Sequence, residues 1–129
     1  MNEITKGGEF LTKQTQSKNV FIPEEFSEEQ NMMKEAVKDF IDREVWPNKN
    51  RYENKDYVFT VETMHKVAEL GLLGVAVPVE YGGMGMGFVS TMLVCDYISG
   101  ATGSFATAFG AHTGIGTMPI LLYGTEAQK

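Results

Sequence analysis

Glu69–Met86 reads ELGLLGVAVPVEYGGMGM, and the interpretation of this stretch decides the fold. An apolar run closes at Pro78, and four glycines (Gly82, Gly83, Gly85 and Gly87) then fall within six positions. Such a loop invites comparison with a phosphate cradle. That cradle needs G-x-G-x-x-G between a strand and a helix, so that backbone amides meet a pyrophosphate at the helix N-terminus. Counting from Gly83 puts Phe88 at the third glycine position, and counting from Gly85 puts Ser90 there. No Gly-Lys-Ser/Thr follows either, which removes the P-loop. The spacing favours a chain reversal that uses glycine for its positive-φ positions. LLGVAVP is strand-like by propensity, yet no partner run of strand type exists, so it is expected as extended chain.

Helical signals surround this loop. Ser27-Glu28-Glu29-Gln30 is a capping box, with two glutamates placed to suit the helix dipole. Met33, Val37, Phe40, Ile41 and Val45 then recur at helical spacing, which predicts one buried face. Pro47 is expected to end that helix. Thr60 opens a second helix with Met64, Val67 and Ala68 on one face and Gly71 as a left-handed stop. A third helix, Phe88 to Ser99, is apolar nearly all round and is expected to be buried on most sides. GSFATAFGAHTGIG suits a tightly packed helix of small residues. TMPILLYG predicts another, with Pro119 in its first turn and Gly124 as its stop. Thr125-Glu126-Ala127-Gln128 is a second capping box. A helix announced there predicts that the polypeptide is the N-terminal piece of a longer protein.

The 129 residues amount to one domain. Eleven Lys+Arg against 17 Asp+Glu give a net charge of −6, which argues against a nucleic-acid partner. The single cysteine, Cys95, lies in an apolar helical run, so there is no disulfide framework and a buried structural thiol in a reducing cytoplasm is expected. The polar N-terminus lacks the apolar core of a signal peptide, and no run approaches the roughly 20 apolar residues of a membrane span. Residues 1–23 read as a flexible arm and residues 24–129 as the helical domain. Between Leu73 and Thr125 only Glu80 and Asp96 are charged. That half would expose large apolar patches in water, which implies protein or ligand packed against it.

Isolated candidates for chemistry weigh little. His112 has no Ser, Cys or Asp in triad or ligand spacing and is expected as a helix-end histidine satisfied by backbone. His65 is expected to be partly exposed, Tyr81 to pack, and Met84, Met86 and Met92 to fill core. No catalytic residue and no metal ligand is assigned.

The residues become specific in combination. ELGLLGVAVPVEYGGMGM resembles the segment joining the second and third helices of flavin-dependent acyl-CoA dehydrogenases. GAHTGIGTMPILLYGTEAQK, Gly110–Lys129, resembles the helices of that family at the acyl pocket. The order and spacing agree, and the resemblance covers about residues 24–129. KGGEFL, Lys6–Leu11, is similar to the arm of the larger, very-long-chain-like members. The resemblance implies an all-α N-terminal helical bundle domain, truncated before the β middle domain. It implies FAD as cofactor, held mainly by domains outside this chain. A carboxylate base outside it would remove the α-proton of a fatty acyl thioester while the β-hydride passes to the flavin. An electron-transfer flavoprotein would be the acceptor and the full-length enzyme a homo-oligomer. The fragment alone is then not a catalyst.

By the same resemblance this chain supplies one wall of the acyl pocket, through Thr107, Ala108, Gly110, Ala111, Gly114 and Ile115. Small residues there leave a groove free to extend, so a long-chain acyl group is expected. Two other possibilities stand beside this: an acyl-CoA oxidase of the same superfamily, and a non-enzymatic helical module that docks through its apolar second half.

Overall fold

Alternating burial along Glu28–Phe40 (α1) sets the first layer of the fold. Ser27 caps this helix as expected: its Oγ accepts from the Gln30 amide and the Gln30 side chain accepts from the Ser27 amide. Met33, Val37, Phe40, Ile41 and Val45 are all buried. The computed structural model describes residues 4–129; residues 1–3 of the expected arm lie outside the described residues. The rest of the arm forms three short 3-10 turns, at Glu9–Leu11, Ser17–Asn19 and Pro23–Glu25.

Pro47 does not stop the chain's helical course. α1 passes into a π turn, Ile41–Val45, then a 3-10 turn, Trp46–Asn48, then a short helix, Lys49–Glu53 (α2). The proline sits at the start of the 3-10 turn, where its missing N–H leaves no hydrogen bond broken. The helix changes pitch instead of ending.

The second long helix, α3, runs Tyr57–Glu69 and begins before Thr60, because Asp56 is the true cap: its carboxylate accepts from the Phe59 amide at 3.0 Å. Arg51 fixes the same carboxylate from the other side at 2.7 Å, and these two bonds hold it below the usual aspartate range. α3 buries Phe59, Thr63 and Val67, with Met64 partly buried and Ala68 exposed. Thr63 is polar and fully buried, and it is satisfied: its hydroxyl donates to the Phe59 carbonyl and accepts from Tyr52 Oη. Burial pushes the Tyr52 phenol upward, against the opposing pull of that bond.

Gly71 takes the left-handed conformation at φ +75, as expected of a helix stop. LLGVAVP is not extended, however. It coils into a 3-10 turn at Leu72–Gly74 and drops Leu72 and Val75 into the core. Residues spaced by three fit a turn of that pitch, whereas a lone strand would leave its ladder unpaired.

The last three helices are α4 (Phe88–Ser99), α5 (Gly103–Gly110) and α6 (Thr117–Tyr123), with a π segment, Ala111–Gly116, joining α5 to α6. α4 packs on α1, where Gln30 donates to buried Ser90. It is not buried on most sides: Ser90, Leu93, Val94 and Ile98 face inward, while Phe88 is 76% exposed and Val89 and Met92 are exposed too. Its all-round apolar character therefore serves a surface this chain does not cover. Cys95 is half-buried, and burial raises its thiol. Phe105, fully buried, ties the layers together through rings 6.1 Å from Phe40 and 5.6 Å from Tyr52. No strand occurs among the described residues, so the domain is all-α.

Candidate functional site

The glycine loop is spoken for by its own chain. The amides of Gly82, Gly83, Met84, Gly85 and Met86 donate to the carbonyls of Val79, Pro78, Gly74, Val77 and Val75 respectively. Gly82 and Gly85 have positive φ, and a Cβ on Gly83 would run into the Val77 carbonyl. These glycines exist for a reversal that folds back on Gly74–Val79, and no row of free amides is left to meet a pyrophosphate. The loop that most resembles a cradle therefore offers none to the phosphates of a dinucleotide such as FAD.

Two surfaces remain. The first is a groove of about 1020 Å³ between α3, the Leu73–Gly83 reversal and α6. Val61, Met64, Ala68, Leu73, Ile120 and Leu121 make its apolar walls, and His65 and His112 both stand on it. Both histidines are exposed, and His112 lies inside the π segment Ala111–Gly116 and not at the helix end expected of it. Tyr81 closes one end, donating from Oη to Glu126 at 2.8 Å. That bond, then burial, pushes the Tyr81 phenol up, and with Lys129 it holds the Glu126 carboxyl low. The Tyr81–Glu126 link joins positions 45 apart in sequence and carried no motif that could reveal it.

The second surface is the outer face of α5 and the π segment. Among the six candidate wall residues, only Ala108 borders the groove. Thr107, Gly110, Ala111, Gly114 and Ile115 are exposed on this outer face, Ile115 to 82%. Gly110 has ordinary helical angles, φ −65 and ψ −36. A Cβ added to Gly110 or Gly114 would meet nothing within 4 Å, and neither has positive φ. Glycine inside a helix costs about 0.5–1 kcal/mol relative to alanine. Here neither backbone conformation nor internal packing asks for it. Gly116 and Gly124 differ: a Cβ at Gly116 would press on the Ala111 carbonyl, and one at Gly124 would strike the Ile120 carbonyl. Gly124 stops α6 by that close approach, in extended conformation (φ −69), and not through a left-handed turn.

The π segment itself is held by side chains returning to backbone. Thr113 Oγ1 donates to the Phe109 carbonyl and Thr117 Oγ1 to the His112 carbonyl. A π segment inside a continuous helical run such as Gly103–Tyr123 widens it and often marks a functional site. Among the described residues no cluster of His, Cys, Asp and Glu is arranged to hold a metal ion, and no helix is long and apolar enough to cross a membrane.

Comparison with known proteins places this geometry. The family model for the acyl-CoA dehydrogenase N-terminal domain matches residues 27–129. A probable acyl-CoA dehydrogenase of Bacillus subtilis is 39% identical over 127 residues, which is 98% of this chain and 21% of that protein. Mitochondrial isovaleryl-CoA dehydrogenase of Pongo abelii is 32% identical, over 80% of this chain and 25% of its own. The crystal structure of an acyl-CoA dehydrogenase complexed with FAD from Bacillus anthracis superposes on 95% of this chain and 21% of its own, with TM-score 0.87 and 44% identity. The chain thus spans about a fifth to a quarter of the length of these proteins. The expected very-long-chain-like branch finds no support in them: relatives whose names specify an acyl group are isovaleryl-CoA and glutaryl-CoA dehydrogenases. The fold, the order of its helices and the match over residues 27–129 agree, and the chain belongs to the acyl-CoA dehydrogenase family as its N-terminal domain.

Proposed function

We propose that the full-length protein is an FAD-dependent acyl-CoA dehydrogenase acting in fatty acid β-oxidation, and that this chain supplies one wall of its acyl channel. The observation that carries this is the pair Gly110 and Gly114, helical glycines with open space where a Cβ would be. Their smallness is not required inside the chain, so it serves something that comes against the helix from outside. Thr107, Ala111 and Ile115 flank them on the same exposed stretch, and a fatty tail laid there loses water along its length. Each methylene buried contributes about 0.8 kcal/mol. With no large side chain standing at Gly110, Ala111 or Gly114, the trough has no built-in stop, which favours long straight acyl groups.

FAD, when bound by the rest of the protein, supplies the acceptor for the β-hydride. This chain's part is to hold the acyl tail and exclude water from it. Acyl-CoA is the substrate, an electron-transfer flavoprotein the partner, and a homo-oligomer in the cytoplasm the working form; the lone, half-buried Cys95 fits a reducing compartment.

A chain-length series on the full-length protein tests this. Wild type should prefer long-chain acyl-CoA, and Gly114→Leu should move the optimum to shorter chains. A wild-type optimum at butyryl-CoA, left unmoved by Gly114→Leu, would overturn the reading.

A further inference from the structure

We propose that Thr117 is a positioning residue for the acyl channel: it holds the π segment Ala111–Gly116 at its wider pitch, and so keeps Thr107, Ala111 and Ile115 in one row. This rests on the reading of that face as the channel wall, and adds what sets the register of the wall.

The pitch shows in which residues face which way. From Phe105 onward the inward row advances by four: Phe105 and Phe109 are buried, and Thr113, Thr117 and Leu121 are half-buried. Thr107, Ala111 and Ile115 advance by four on the exposed side. In an α-helix of about 3.6 residues per turn a step of four overshoots by about 40°, so either row would drift by about 80° in two steps. A π turn, bonded five residues back, takes up the excess, and the run Gly103–Tyr123 contains one where both rows need it.

What winds this turn is read from the bonds. Thr60, Thr63, Thr91 and Thr113 each send Oγ1 to the carbonyl four residues back, the ordinary pattern in an α-helix. Thr117 reaches five back: its Oγ1 donates to the His112 carbonyl at 2.8 Å, and its amide donates to the same carbonyl. Gly116 supplies the steric half, since a Cβ there would stand 3.2 Å from the Ala111 carbonyl, again five residues back. Without the Thr117 hydroxyl the segment relaxes toward α pitch, and Ile115 turns out of line with Ala111 by about 40°.

Kinetics of the full-length holoenzyme test this. Thr117→Val keeps the shape of the side chain and removes the hydroxyl, whereas Thr117→Ser keeps the hydroxyl. Thr117→Val should raise KM for palmitoyl-CoA about fivefold, the worth of one hydrogen bond, with kcat unchanged and butyryl-CoA kinetics as in wild type. Thr117→Ser should match wild type. Gly116→Ala, which crowds the Ala111 carbonyl, should act in the same direction as Thr117→Val, and it decides the matter if that variant does not fold. Equal losses on both substrates, an unchanged KM, or a serine variant that behaves as the valine one does would overturn the proposal. Gly114→Leu separates the two claims. If it moves the chain-length optimum while Thr117→Val and Gly116→Ala do not, the wall stands and Thr117 positions nothing; if none of the three moves it, both fall.

Discussion

The two halves of this domain solve opposite problems. In the α1–α3 half the aromatic rings are gathered inward: Phe40 and Tyr52 meet Phe105 of α5, Tyr52 also meets Phe59, and Arg51 stacks 3.8 Å over Phe59 while bridging Asp56. Charged residues cover the outside. In the half from Phe88 onward, Phe88, Ile115, Leu122 and Tyr123 are exposed and almost no charge is present. The first half sets its exposed apolar side chains, Met32, Tyr57 and Val58 among them, beside many charges, and the second has almost no charge to set beside its own. The difference teaches that apolar composition by itself does not mark burial within the domain, since α4 is apolar nearly all round and still leaves Phe88 exposed.

The largest effect should come from the seam between the halves. Phe105→Ala removes the ring that both sides share, and a buried Phe→Ala change costs about 3–5 kcal/mol. Urea unfolding of the domain should show a loss of that size; a loss under about 1 kcal/mol would mean that the halves are not packed through this ring. Next, Gly83→Ala forces a methyl group into the Val77 carbonyl, with a cost of about 1–3 kcal/mol from overpacking. Thermal unfolding should show it, together with faster hydrogen exchange at Gly85 and Met86, whose amides depend on that reversal.

Smaller effects belong to the caps of the self-contained half. Ser27→Ala should cost about 1 kcal/mol by loss of one half of the capping box. Asp56 gives a pH signature. Its folded carboxyl titrates below the unfolded one, so its stabilisation is complete above the ordinary aspartate range and drains away as pH falls through the folded value. Comparing unfolding midpoints of wild type and Asp56→Asn, the gap should be widest near neutrality and close in acid. A gap that grows toward acid would contradict the assignment.

Much of this was legible in the residues. The Ser27 box, the buried stripe from Met33 to Val45 and the limits of α4 follow from local spacing, which is a property of the chain by itself. The left-handed Gly71 is equally local. What failed depended on partners. The start of α3 hinges on Asp56, whose pull on the Phe59 amide competes with the ordinary β-branched start at Thr60. LLGVAVP carries strand propensity, but its neighbours offered a core to fill and no strand to pair with. The six candidate wall residues rest on resemblance, and only Ala108 among them borders the groove, because one helix turns its two sides toward two different surfaces. Nothing in the sequence could show the groove itself, which is made by segments 60 positions apart.

The central claim is that Gly110 and Gly114 are small for the sake of what lies outside the domain. Replacing both by alanine in the full-length protein and measuring stability alongside the acyl chain-length profile tests it most directly. Two open helical positions should each gain about 0.4–1 kcal/mol, while KM for long-chain acyl-CoA rises and that for short chains changes little. A loss of stability with an unaltered chain-length profile would contradict the account.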